Sequence, residues 1–290
     1  MTADHQTSSA LWYPGHMAQW RRQLDERLKT LDVVLLVVDA RAPRATCPQG
    51  LLEAVGNKPV LILLNKTDLA DANVTVQWVR FFERQHPTVS ISATHPKGAA
   101  KSAILSGILN AYQAKASKQS LQGLKPRPAR AMAFGVPNVG KSSLINALVG
   151  AKKVRTASKA GVTRTSSWVR VHPQVDLLDT PGLYPLSGVA LDAHEPLSLI
   201  RSVGEAVVKP EDVAQYLVTL LCQRYSAVFS NWFGHPIDPE APLSLETIAR
   251  AKLWLSSGGE PDVVQTAQRL LKLFRDGKLG KFTLEIPLPL

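Results

Sequence analysis

A phosphate loop framed by a strand and a helix constrains this chain more than any other feature. Residues 135–142 read GVPNVGKS, which fits G-x-x-x-x-G-K-[ST]. The apolar run ARAMAF precedes the loop and the helix-like SLINALVG follows it. Gly135 and Gly140 are required because the backbone N–H groups of such a loop must turn inward on phosphate oxygens. The following helix adds its positive dipole end. Lys141 is then placed to reach the β and γ phosphates, and Ser142 to ligate Mg²⁺. Asn138, Val139 and Ser143 complete the loop residues expected against a nucleotide. At a glycine usage of about 7%, a chance match arises on the order of once per hundred chains of this length. An incidental glycine-rich turn is therefore a poor account of it.

The surrounding pattern is α/β. Residues 17–31 put Met17, Trp20, Leu24, Leu28 and Leu31 on one helical face. VVLLVVDA (33–40) and PVLILLNKTDL (59–69) read as buried parallel strands. A helix over 74–85 turns Trp78, Val79 and Phe82 inward, and TVSISA (88–93) is a third strand. A helix is expected at about 99–114. The basic stretch 115–130, broken by Gly123, Pro126 and Pro128, reads as a linker. SSWVRV and VDLLDTPG supply two more strands. Strands alternating with helices predict a doubly wound, mostly parallel sheet. Beyond residue 185 the pattern changes to helical periodicity at 210–224, 244–256 and 260–275. The expected division is residues 1–185 as one α/β domain and 186–290 as a small all-α domain.

Four further motifs carry chemistry. NKTD supplies Asn65, Lys66 and Asp68 at a strand end. A fixed Asp68 carboxylate can accept both N1–H and the 2-amino group of guanine, a pair adenine lacks. Asn65 would tie loops together and the Lys66 stem would cover the base. Such a turn can also cap a helix, but its place beside a phosphate loop favours base recognition. An ATPase is disfavoured on the same ground. LLDTPG offers Asp179 to Mg²⁺ through water and the Gly182 N–H to a γ-phosphate, although D-x-P-G is also turn chemistry. GVT puts Thr163 where a switch loop would bring a hydroxyl to Mg²⁺. SISA offers Ser92 and Ala93 as backbone contacts to the guanine carbonyl.

The order of these motifs is unusual, because NKTD and SISA precede the phosphate loop. The chain looks like a circularly permuted P-loop GTPase, with residues 115–130 joining the permuted halves. On WYPGHM (12–17), DARAP (39–43), NKTD, GVPNVGKSSLINAL (135–148), GVTRT (161–165), LLDTPG and FRDGKLGKFTLE (274–285) it resembles the YlqF/RbgA family of ribosome-assembly GTPases. Ala160 departs from the family's usual proline before the switch Gly-x-Thr. The resemblance implies hydrolysis of GTP to GDP, a role in maturing the large ribosomal subunit, and binding of pre-ribosomal RNA tuned by nucleotide state. The alternative is a nucleotide-gated RNA scaffold whose turnover is incidental. Leu183 stands where many GTPases carry a water-orienting Gln. By resemblance His16 is the candidate to hold that water, with helix capping as its other role. Asn138 stands where potassium-dependent GTPases hold that ion, which implies K⁺ beside Mg²⁺.

Charge and composition agree with this reading. Net charge is +11, and no Asp or Glu occurs from Arg84 to Val175. Residues 186–290 hold 10 basic and 12 acidic residues. A long acid-free segment points to a polyanion such as ribosomal RNA. The longest aliphatic run, 33–38, is far short of the about 20 residues a membrane helix needs. The N-terminus has no signal-like core. Only Cys47 and Cys222 are present, too few for a disulfide framework or a zinc cluster. A cytoplasmic monomer is expected.

Overall fold

The structure, a computed structural model, describes residues 14–95, 98–123, 125, 127–150, 167–179, 194–203 and 208–288, with backbone alone at 14–20, 114, 167 and 179. The two most apolar runs become the inner strands β1 (Val33–Asp39) and β2 (Val60–Asn65), buried at every position. With β3 (Thr88–Ile91), β4 (Ala129–Phe134), β5 (Ser167–His172) and β6 (Val175–Asp179) they form one six-stranded sheet of order β3-β2-β1-β4-β6-β5. Only β5 is antiparallel, against β6. Helices on both faces let the inner strands be apolar throughout. Each fully buried Leu or Ile stabilises by about 1.5–3 kcal/mol.

The strand order carries the permutation. The chain runs outward from β1 through β2 to β3, then returns to lay β4 on the other side of β1. This leaves a switch point between β1 and β4, where the connections depart in opposite directions and open a crevice. Register fixes what meets there. Asp39 lies opposite Asn65, Asn65 opposite Ile91, and Ala133 opposite Asp179. The carboxyl ends of β1, β2, β4 and β6 therefore open onto one edge.

The helices follow the expected faces, with corrections at their ends. α1 (Pro14–Thr30) buries Leu24 and Leu28, and Leu31 follows in the core. The side chains of Met17 and Trp20 lie outside the described residues. The short α2 (Pro43–Thr46) and α3 (Gln49–Val55) were not foreseen. α4 (Ala72–Glu83) starts at Asp71, whose carboxylate accepts from Asn73 N at 2.8 Å and Val74 N at 3.0 Å. α5 (Gly98–Leu121) runs seven residues past the expected end at 114, so the supposed linker is mostly helix. Nothing in 115–121 breaks a helix. Lys115 reaches Asp32 at 2.6 Å, and the Tyr112 hydroxyl donates to Gln119 at 2.9 Å. The break comes at Gly123, with φ +73°.

After α6 (Lys141–Val149) and the β5–β6 hairpin come α7 (His194–Leu199), α8 (Pro210–Phe233), α9 (Leu245–Ala251) and α10 (Val263–Arg275). α7 was not foreseen. α8 continues past the expected end at 224, but its backbone leaves helical geometry at Tyr225. The Tyr225 hydroxyl there donates to Thr283 O at 3.0 Å and accepts from Thr283 N at 3.2 Å. α9 stops earlier than expected because the chain turns to pair Leu255 with Pro261. α8 and α10 bury Leu217, Leu221, Leu270 and Phe274. The buried side chains of these helices join those of the sheet in one apolar cluster. Residues 279–285 then run back to the sheet, with Leu279, Phe282 and Leu284 buried.

Candidate nucleotide-binding site

The loop after β4 owes its shape to two glycines. A Cβ on Gly135, at φ +146°, would sit 2.5 Å from the Val37 carbonyl of the neighbouring strand. A Cβ on Gly140, at φ +100°, would overlap the Asn65 side-chain amide. Backbone N–H groups at the start of α6 are left without carbonyl partners within the helix, as at every helix N-terminus. Lys141 is buried, and its Nζ donates to Gly135 O at 3.0 Å and Val136 O at 2.8 Å. It thus bends back along the inner side of the loop. Ser142 and Ser143, in the first turn of α6, are partly exposed.

The loop after β2 is joined to this one. Asn65 is buried, and its Nδ2 donates to Val139 O at 2.8 Å while its Oδ1 accepts from Ala93 N at 3.0 Å. One side chain therefore holds the SISA loop and the phosphate loop together. The Lys66 ammonium donates to Asn138 O and pairs with Asp39 at 2.9 Å. Lys66 has φ +63° and Asn138 φ +62°, so both loops turn through the left-handed region where they meet. Asp68 is partly exposed at the rim, where the Thr94 hydroxyl donates to it at 3.4 Å. Ser92 lies beside Thr94 at 3.1 Å. The Ala93 N–H, expected on a base carbonyl, is donated to Asn65 in this structure.

A charged cluster of Asp39, Arg41 and Lys66 lies beneath these loops, and Asp39 and Arg41 entered the sequence reading only as part of a matching motif. Asp39 is fully buried and takes a two-pronged bond from Arg41, Nε to Oδ1 at 3.0 Å and Nη2 to Oδ2 at 2.8 Å. Burial opposes its charged form, but Arg41 and Lys66 outweigh burial and hold the carboxyl well below the usual carboxylate range. Arg201 and Ser202 were also missed. The Asn138 Nδ2 donates to Arg201 O at 2.5 Å, and the Ser202 hydroxyl to Pro137 O at 2.7 Å. Nothing local marks either residue, because each acts across more than 60 residues.

Four expected site residues lie partly or wholly outside the described residues. β6 brings the backbone of Asp179 to the shared edge, but its side chain lies outside the described residues. The same holds for His16 in the first turn of α1. Thr163 and Gly182 lie wholly outside them, as does Leu183. The structure thus brings together Asn65, Lys66, Asp68, Ser92, Ala93 and the 135–143 loop.

The chain is similar to known proteins. The family model for the 50S ribosome-binding GTPase matches residues 130–228. The Ribosome biogenesis GTPase A of Bacillus cereus is 36% identical over 279 residues, 95% of this chain and 93% of that protein. Its namesake in Thermotoga maritima is 32% identical over 276 residues, 95% and 94% of the two chains. A GDP-bound structure of TM YlqF superposes with a TM-score of 0.61 at 29% identity, covering 92% of this chain and 99% of that one. GNP-bound YlqF from T. maritima gives 0.60 at 26% identity, covering 92% and 98%. A GTP hydrolase on a circularly permuted P-loop fold, the chain belongs to the ribosome biogenesis GTPase A (YlqF/RbgA) family.

Proposed function

We propose that this protein hydrolyses GTP during maturation of the large ribosomal subunit, and that its nucleotide state sets its grip on pre-ribosomal RNA. The names of the relatives and of the matching family support the ribosomal part. The observation that carries the nucleotide part is the bond of Asn65 to Val139, which locks a base-reading loop to a phosphate-reading loop. Asp68 at the rim reads the guanine edge, and Ser92 and Ala93 close that side. Gly135, Asn138, Val139, Gly140 and Ser143 present backbone to the phosphates, and Lys141 swings from the loop carbonyls to the β and γ oxygens. The Gly182 N–H meets the γ-phosphate.

The residues fit a magnesium site in kind. A Ser142 hydroxyl, a Thr163 hydroxyl and an Asp179 carboxylate are hard oxygen ligands of the type Mg²⁺ prefers. Bound there, the ion would neutralise charge that develops on the transferring phosphoryl group. Asn138 is the candidate ligand for K⁺. His16 orients the attacking water in place of the glutamine that Leu183 displaces. The acid-free segment from residue 84 to 175 supplies the RNA-facing charge, assisted by the helical unit of residues 186–290 beside a permuted domain of 1–185. The same reading has the protein act as a cytoplasmic monomer.

Co-sedimentation with precursors of the large subunit, in GTP and in GDP, tests the proposal. Binding that depends on nucleotide, with turnover raised by the particle, is expected. Nucleotide-dependent binding without added turnover would favour the scaffold alternative, and equal binding in both nucleotides would end the proposal.

A further inference from the structure

Two adjacent residues at the end of α10, Phe274 and Arg275, reach the phosphate loop by separate routes. Arg275 donates from Nε to Leu199 O at 2.8 Å and from Nη2 to Ser198 O at 3.0 Å. These carbonyls belong to the last turn of α7, so Arg275 caps that helix. Just past this turn Arg201 takes φ +59°, a conformation glycine usually supplies, and Ser202 N bonds back to Leu197 O at 2.8 Å. The reversal points the Arg201 carbonyl at the Asn138 side chain and the Ser202 hydroxyl at Pro137 O. A non-glycine residue held there is strained, and such strain persists only where the surroundings enforce it.

The second route is electrostatic. Phe274 is buried, and its ring carries the Arg41 guanidinium 5.5 Å from its centroid. Arg41 grips Asp39, Asp39 pairs with Lys66, and Lys66 donates to the Asn138 carbonyl. One route thus ends on the side chain of Asn138 and the other on its backbone oxygen.

We infer that the end of α10 sets the conformation of the phosphate loop through Asn138, with Phe274 and Arg275 as positioning residues that touch no nucleotide themselves. The inference rests on reading Asn138 as part of the nucleotide site. It makes the C-terminal helices a lever on nucleotide affinity. By reciprocity, nucleotide binding must stiffen the last turn of α10 by an equal free energy.

A double-mutant cycle in the full-length chain tests this, with GDP affinity read by calorimetry. Arg275→Gln and Phe274→Leu should each weaken GDP binding about tenfold, within the usual range of coupling between sites. In the Asn138→Ala background, Arg275→Gln should add less than about threefold, because its route loses the side chain it ends on, whereas Phe274→Leu, whose route ends on the retained backbone oxygen, should keep its loss of about tenfold. Ser202→Ala, which removes the hydroxyl that the turn places on Pro137 O, should itself weaken GDP binding and serves if an α10 variant does not fold. Arg269→Ala, on the exposed face of α10, should leave affinity unchanged. GDP should also slow amide exchange at residues 272–275 of the wild type, and less so in Asn138→Ala. Additive losses for Arg275→Gln and Asn138→Ala, or equal protection in both proteins, would overturn the inference while leaving the nucleotide site intact. A wild type that binds no GDP would instead refute the site and the inference together.

Discussion

Single atoms decide much at the proposed nucleotide site. Gly140 faces the Asn65 amide so closely that a methyl group has no room, and its φ of +100° strains any L side chain. Gly140→Ala should therefore part the two loops and weaken GTP binding by about 10²-fold, the loss of a bond and a strained turn combined. The fold should survive, since the contact lies at the sheet's edge. Calorimetry beside a circular dichroism melt would check both statements. Asp68 offers a different test, because it faces the rim and braces no element. Asp68→Asn exchanges an acceptor for a donor and should turn preference from GTP to XTP, whose 2-oxo group accepts. The loss for GTP is about 10- to 100-fold, the value of hydrogen bonds to one charged group. Unchanged preference would remove Asp68 from base recognition.

At the scale of elements, the C-terminal segment does more than end the chain. Thr283 is fully buried, donates to Ala40 O at 3.2 Å and accepts from Asp71 N at 3.2 Å. The Glu285 carboxylate accepts from Arg44 N at 2.7 Å and Ala45 N at 3.0 Å, and the Trp78 indole donates to Glu285 O at 3.0 Å. The loops after β1 and β2 are thereby held from outside. Thr283→Val keeps the shape but orphans a part-buried N–H and a buried carbonyl, which should destabilise by about 1–3 kcal/mol. Urea denaturation should show a lower midpoint with an unchanged m value. This segment was legible in the sequence only as a matching string, FRDGKLGKFTLE. Its partners stand about 240 positions away, and no periodicity encodes a contact at that distance. The end of α5 is hidden for the converse reason, since the glycine and prolines at 123–128 signal a break while the stretch just before them is sound helix.

For the whole molecule, charge governs behaviour. Asp32 and Asp39 are both buried, and both carboxyls are held below their ordinary values. At Asp32 burial pulls the other way, but Arg127, Lys115 and the Arg130 N–H prevail. The unfolded chain binds these protons more tightly than the folded one. Their stabilisation is thus complete above the unfolded value of about 3.9 and is lost as pH falls through the depressed folded values. Stability should be flat from neutral pH to about 5 and drop steeply below about 4. Asp32→Asn should lower the plateau and make the acid limb shallower, as urea melts at several pH values would reveal. The acid-free segment predicts salt-sensitive RNA binding, each neutralised phosphate contributing about −0.9 to the log–log slope on a duplex. Reversing Lys152, Lys153 and Arg155 to Glu should flatten that slope, and a flat slope in the wild type would remove the argument.

The inner strands, the α4 face, the phosphate loop and NKTD were all readable in advance, because each is a local requirement. An apolar run buries as a strand, an amphipathic stretch as a helix, and a glycine stands where only positive φ or a close backbone fits. The order of the motifs even implied the permuted sheet. Folding alone decided which loops touch and what braces them. Asp39, Arg41 and Lys66 form a buried charge cluster only because β1 and β2 pair in one register. Arg201 and Ser202 meet the phosphate loop only because the turn after α7 lies against it, and Arg275 reaches the loop only through α7. Such contacts join residues that share no window of sequence, and they hold because the sheet and its helices have already removed the entropy of bringing them together.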